Sequence, residues 1–101
     1  MSGCGCACPV DVVVQEQVAV SVVEAVALDA NKERVNASVQ NFGSQAVFLY
    51  FTTAQGLTAP VMLMQGQVWE ALQAGWIYTG PVYVVTGSST SIVGVTEEEA
   101  A

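Results

Sequence analysis

Cys4, Cys6 and Cys8 form a C-x-C-x-C run inside "MSGCGCACP", the densest group of reactive side chains in the sequence. Thiolates bind soft metals, but a structural zinc takes four ligands, usually in pairs two to four residues apart. This run offers three, and the chain has no histidine to complete the set. Three thiols also cannot all close as disulfides within one chain. The run therefore reads as a small-residue arm carrying reduced thiols, with contact or crosslinking between subunits as its functional role. No metal site is expected.

The absence of histidine removes the commonest general base and every Ser–His or Cys–His nucleophile pair. Acid–base work would fall to carboxylates, yet Glu16, Glu24, Glu33 and Glu70 stand singly and fit solvated strand faces. "GCGCACP" opens no helix, and the later glycines are scattered turn residues, so no phosphate cradle is formed. The chain is read as a non-enzyme without a cofactor. What remains is aromatic: Trp69, Trp76, Tyr78 and Tyr83 in the second half, with Phe48 and Tyr50 before them. Such residues on a β-sandwich serve in its core, at interfaces or as platforms for sugars.

The elements that position these residues are strands. Between residues 10 and 28 valine recurs at even positions, interrupted by Glu16 and Glu24, and valine favours extended structure. A strand of that length would be unusual, so a break is expected at Glu16-Gln17 or Glu24-Ala25. Asp29 and Asn31 suit the next turn. Val35, Ala37 and Val39 then alternate with Asn36, Ser38 and Gln40, a strand with one buried face. "NFGS" is expected as a hairpin turn with Gly43 at positive φ, returning through Ala46-Val47-Phe48-Leu49-Tyr50-Phe51.

That return strand is apolar on both faces. In simple register Val47, Leu49 and Phe51 enter the core, while Phe48 and Tyr50 point toward another copy or another protein. Further strands are expected at Val61 to Met64, Val68 to Leu72, Val82 to Val85 and Ser91 to Val95. Glu97-Glu98-Glu99 is read as a tail. The organisation is thus a flexible Cys/Gly-rich arm over 1–9, one β domain over 10–96 and an acidic tail over 97–101. Short strands punctuated by Gly, Asn and Ser predict an antiparallel β-sandwich or small β-barrel.

The totals point to an assembly subunit. The chain of 101 residues is 52% hydrophobic and 11% charged, against roughly 25% charged for an average soluble domain. A single small core cannot hide that much apolar side chain, and large exposed patches mark contact sites. The net charge of −7, with Lys32 and Arg34 the only cations, argues against a nucleic-acid partner, which needs clustered Lys and Arg to displace counterions from phosphates. No run reaches the ~18–20 apolar residues of a membrane helix, and no secretory leader is recognisable. Synthesis in a host cytoplasm and no membrane partner are expected.

Taken together, Arg34, "QNFGSQAVFLYF", "VMLMQGQVWEAL", "YTGPVYVVTG" and "TSIVGVTEE" resemble a class of small tailed-bacteriophage structural proteins, over about two thirds of the chain. The resemblance implies a capsid decoration, or cement, protein: a β-sandwich or barrel docked on the outer head surface and bracing neighbouring capsomers. Its implied partners are the major capsid protein and further copies of itself, as a trimer at local three-fold sites of the virion. Residues 1–28 lie outside the match. The interface candidates are Phe48, Tyr50, Trp69, Trp76, Tyr78 and the thiols Cys4, Cys6 and Cys8. Two other roles stay open: another virion component such as a head–tail connector, tail or fibre subunit, and a carbohydrate- or receptor-binding sandwich.

Overall fold

In the computed structural model the described residues are 10–51 and 61–100, and they are entirely β. Ten strands occur: β1 (Val10–Val20), β2 (Ala25–Leu28), β3 (Arg34–Asn41), β4 (Val47–Tyr50), β5 (Val61–Leu63), β6 (Val68–Glu70), β7 (Leu72–Gln73), β8 (Trp76–Ile77), β9 (Val82–Thr86) and β10 (Ser91–Ala100). Two four-stranded sheets form, ordered β1-β10-β3-β6 and β2-β9-β4-β5, hereafter sheets I and II; β7 and β8 make a separate hairpin. Every pairing is antiparallel. The arrangement is a sandwich of two open sheets, not a closed barrel.

Almost every connection crosses from one sheet to the other. Only β4 and β5 are both consecutive in sequence and paired within a main sheet. Without the small hairpin, the order places each strand of one sheet across from its chain neighbour in the other. That is the jelly-roll wrap of two Greek keys. Strands of alternating direction gather the connections 21–24, 42–46, 64–67 and 87–90 at one end of the sandwich. The opposite end carries 29–33, 71–81 and both ends of the described chain, where Val10 pairs with Ala100.

The core follows from period 2. Val39 and Ala37 of β3, Val93 and Val95 of β10, Val47 and Leu49 of β4, and Val82 and Val84 of β9 face inward and are buried. The β-branched valines pack the space between sheets in few rotamers. Val47 and Leu49 enter the core and Phe48 and Tyr50 point outward, the expected division of faces.

Several expectations are corrected. Residues 10–20 run as one strand without a break at Glu16-Gln17; the break covers 21–24 and ends at Glu24-Ala25, the other expected place. The residues after Asn41 do not form a hairpin: β3 pairs with β10 and β6, whereas β4 pairs with β5 and β9. Gly43 does not take a positive φ. Its role is close approach, because a Cβ there would meet Ser91 Oγ at 1.9 Å. The expected strand from Val68 to Leu72 stops at Glu70 and resumes as β7. The acidic tail is not a tail: β10 runs through Glu97, Glu98 and Glu99 to Ala100, and Glu97 is buried. The arm over 1–9 lies outside the described residues.

Leu49 is fully buried and Tyr50 is not. Leu49→Ala is expected to cost about 2–5 kcal/mol, and Tyr50→Ala clearly less. Urea unfolding of the two variants checks the inward and outward assignment.

Candidate functional site

Arg34, the only arginine, is 2% exposed at the start of β3. Its Nε donates to Glu97 Oε2 on β10 at 2.6 Å, and both side chains are almost wholly out of solvent. Nη1 donates to the carbonyls of Tyr78 and Gly80, each at 2.9 Å, and Nη2 to the carbonyl of Asp29 at 2.7 Å. One planar fork therefore ties two strands to the connections 29–33 and 71–81. Asn31 reinforces it: its amide nitrogen donates to Glu99 at 2.8 Å, and its backbone N–H donates to the Thr79 carbonyl at 2.8 Å.

The tether fixes Tyr78. Its hydroxyl lies within bonding reach of the carbonyls of Phe51 and Pro81, the latter at 2.7 Å. Its ring stands edge-on to Phe51, with centroids 5.3 Å apart, and to Trp69 at 6.2 Å. Phe51 and Trp69 are tilted at 5.2 Å. These edge and tilted arrangements are the ones aromatic quadrupoles favour. Trp76 completes the group, 6.4 Å from Tyr78. It is carried by the β7–β8 hairpin, whose turn residues Ala74 and Gly75 have φ of 52° and 81°. Positive φ at both positions matches the twist of a two-residue hairpin, and glycine adopts it without strain.

Together these residues border a cleft of about 690 Å³ at the mouth of the sandwich, between the β5 and β6 edges. Gln73 and Pro81 add to its rim. The cleft is aromatic and poor in polar groups, which suits an apolar side chain or the flat face of a ring.

A second surface lies on the outside of sheet II. The outer face of sheet II presents Val26 from β2, Tyr83 and Val85 from β9, Phe48 and Tyr50 from β4, and Met62 from β5. Tyr50 sits opposite Tyr83, and Phe48 lies between Val85 and Met62. No charged residue occurs in any of these four strands. Sheet I differs: its outer face carries Gln15, Gln17, Asn36, Ser38, Gln40, Thr96 and Glu98. Nothing among the described residues covers the apolar face of sheet II.

The candidates thus separate into two places. Trp69, Trp76 and Tyr78 meet in the cleft; Trp69 forms its buried floor at 9% exposure and Trp76 its open rim at 65%. Phe48 and Tyr50 lie on the sheet II face. Cys4, Cys6 and Cys8 fall outside the described residues. Phe51 was expected in the core and also lines the cleft. The Arg34–Glu97 pair has a signal in the sequence: "VGVTEEE" keeps the inward phase of Val93 and Val95 at Glu97. Among the described residues no group of three or more His, Cys, Asp or Glu could hold a metal ion. No helix among the described residues is long and apolar enough to cross a membrane. No protein-family model, curated protein or solved structure matches the chain.

Two outcomes are expected. Arg34→Met leaves Glu97 buried without its partner and should lower stability by about 3–5 kcal/mol in chemical denaturation. Glu97→Leu added to it should recover only part, because three carbonyls still lack their donor. Burial holds the Tyr78 phenol above its ordinary value of 10.0, against an opposing pull from Arg34 and with a smaller push from Tyr83. Folding therefore favours the protonated form, and stability should fall as pH rises through and beyond that value. Tyr78→Phe should flatten this alkaline loss in urea titrations across the same range.

Proposed function

We propose that this chain is a structural component of a bacteriophage virion, a decoration protein that lies on the outer head surface and stabilises the shell. The observation that carries this reading is the uncharged, apolar outer face of sheet II. Such a face on a chain with net charge −7 is built to be covered, and it offers no group for chemistry. The reading also draws on the turn and strand signatures of the sequence. Jelly-roll sandwiches recur in viral shells and in lectins, a fold-level analogy.

In this role the outer face of sheet II meets the major capsid protein. Phe48, Tyr50 and Tyr83 provide aromatic anchors, the residue type that dominates binding energy at interfaces. The acidic groups of sheet I other than the buried Glu97, and those of the connections, remain toward solvent. Many weakly held copies acting together resist deformation of the shell through avidity.

The cleft favours a second reading, a carbohydrate- or receptor-binding sandwich, because Trp76 stands exposed beside Tyr78 and could stack against a sugar ring. Adding purified protein to heads that lack it separates the two. Decoration predicts saturable binding and greater heat resistance of the heads, with Phe48→Ala and Tyr50→Ala each weakening binding about tenfold or more. Glycan binding that Trp76→Ala abolishes, together with no binding to heads, would replace the decoration reading by the second one.

A further inference from the structure

Sheet edges expose unpaired backbone N–H and C=O groups, and proteins blunt them with short strands, lysine, proline or bulges. Three of the four edges here are blunted by length: β2 has four residues, β5 three and β6 three. The fourth is β1, with eleven. It contains neither lysine nor proline, and Asp11 and Glu16 are its only charges. Its one irregularity lies between Val12 and Val14; from Val14 to Val20 every residue pairs one-to-one with β10. The other side of that regular stretch has no partner among the described residues.

We infer that β1 is a self-association edge, on which a second copy of this chain pairs its own β1 antiparallel across a two-fold axis at Gln17. Three observations fix the occupant and the register. A like strand is self-complementary only in antiparallel orientation, which gives a closed, isologous pair. Centring on Glu16 would set the two Glu16 carboxylates directly opposite each other, a destabilising arrangement. Centring on Gln15 would draw the irregularity at Val12 and Val14 into the ladder.

Centring on Gln17 uses the whole regular stretch, residues 14–20. Gln17 then faces Gln17 of the second copy on the outer surface, where the two amides can exchange hydrogen bonds. Glu16 faces Val18, Gln15 faces Ala19 and Val14 faces Val20. Val14 and Val18, only half-buried at the open edge, would extend the inner face into the second copy, with the exposed Glu16 between them on the same face. The two sheets I would become one sheet of eight strands. A trimer cannot be built from this contact alone.

This inference does not depend on the virion reading, and its test uses no particles. Sedimentation equilibrium of the full chain, with reductant present to exclude disulfides, should show a concentration-dependent dimer of 10.5 kDa subunits. Raising salt should tighten it, since two copies of net charge −7 repel. Gln17 is exposed, so Gln17→Glu and Gln17→Lys should fold normally by circular dichroism. Each alone sets like charges opposite and should weaken the dimer about fivefold, whereas an equal mixture should associate at least as tightly as the unaltered chain. A chain that stays monomeric overturns the inference. So do Gln17 variants that dimerise like the unaltered protein, or a dimer lost in Tyr50→Ala and indifferent to Gln17.

Discussion

The buried guanidinium of Arg34 is the constraint around which the lower half of the sandwich is organised. A charge withdrawn from water must be paired and hydrogen-bonded nearly completely. Here the pairing draws on four residues from three separate stretches of chain: Asp29, the pair Tyr78 and Gly80, and Glu97. Satisfying one side chain therefore dictates where β10 ends and where two connections run. The position of Tyr78, and through it the shape of the aromatic cleft, is a secondary result of the same geometry. Asn41 plays the neutral counterpart at the other end. Its amide nitrogen donates to the carbonyls of Gln45 and Leu63, while its oxygen accepts from the Gly43 N–H and the Ser91 hydroxyl. Among the described residues no buried side-chain polar atom lacks a partner.

Between these polar ends the sheets divide the work by charge. Sheet I holds all the charged residues that belong to the main strands, and sheet II holds none. One outer face is thus compatible with water and the other is compatible with a dry contact. Both share the same valine interior, so the asymmetry costs the core nothing. A chain with so few charges thus folds as a sandwich whose one broad apolar surface nothing among the described residues covers.

The sequence discloses which way side chains point much better than which strands are neighbours. Alternation at Val35, Ala37 and Val39, and again at Val47 and Leu49, fixes faces because the period of a strand is two. It is silent about pairing partners, since β3 would show the same pattern beside β4 or beside β10. The short connection after Asn41 therefore suggests a hairpin, while in the fold it passes from sheet I to sheet II across one end of the sandwich. Glu97 was hidden for a related reason. Three consecutive glutamates suggest solvent unless a specific cation lies opposite, and Arg34 is 63 residues away in sequence. The cleft was half legible: Trp69, Trp76 and Tyr78 are close in the chain, but Phe51 joins them only through the wrap. No feature of the residue pattern separated that group from Phe48 and Tyr50.

The pairing of β1 with β10 has a consequence for how the chain reaches its fold. Among the described strands the first in sequence completes its ladder only with the last, and apart from β4 with β5 the main sheets contain no pairing between consecutive strands. Contacts this distant in sequence make folding slow, because chain closure must be achieved before the contacts that reward it. During that interval β1 is an extended, valine-rich segment with nothing to pair against. Segments of that composition associate with one another when left waiting. The excess of negative charge over the rest of the chain then acts as a kinetic safeguard, keeping unfinished copies apart until the final strand arrives.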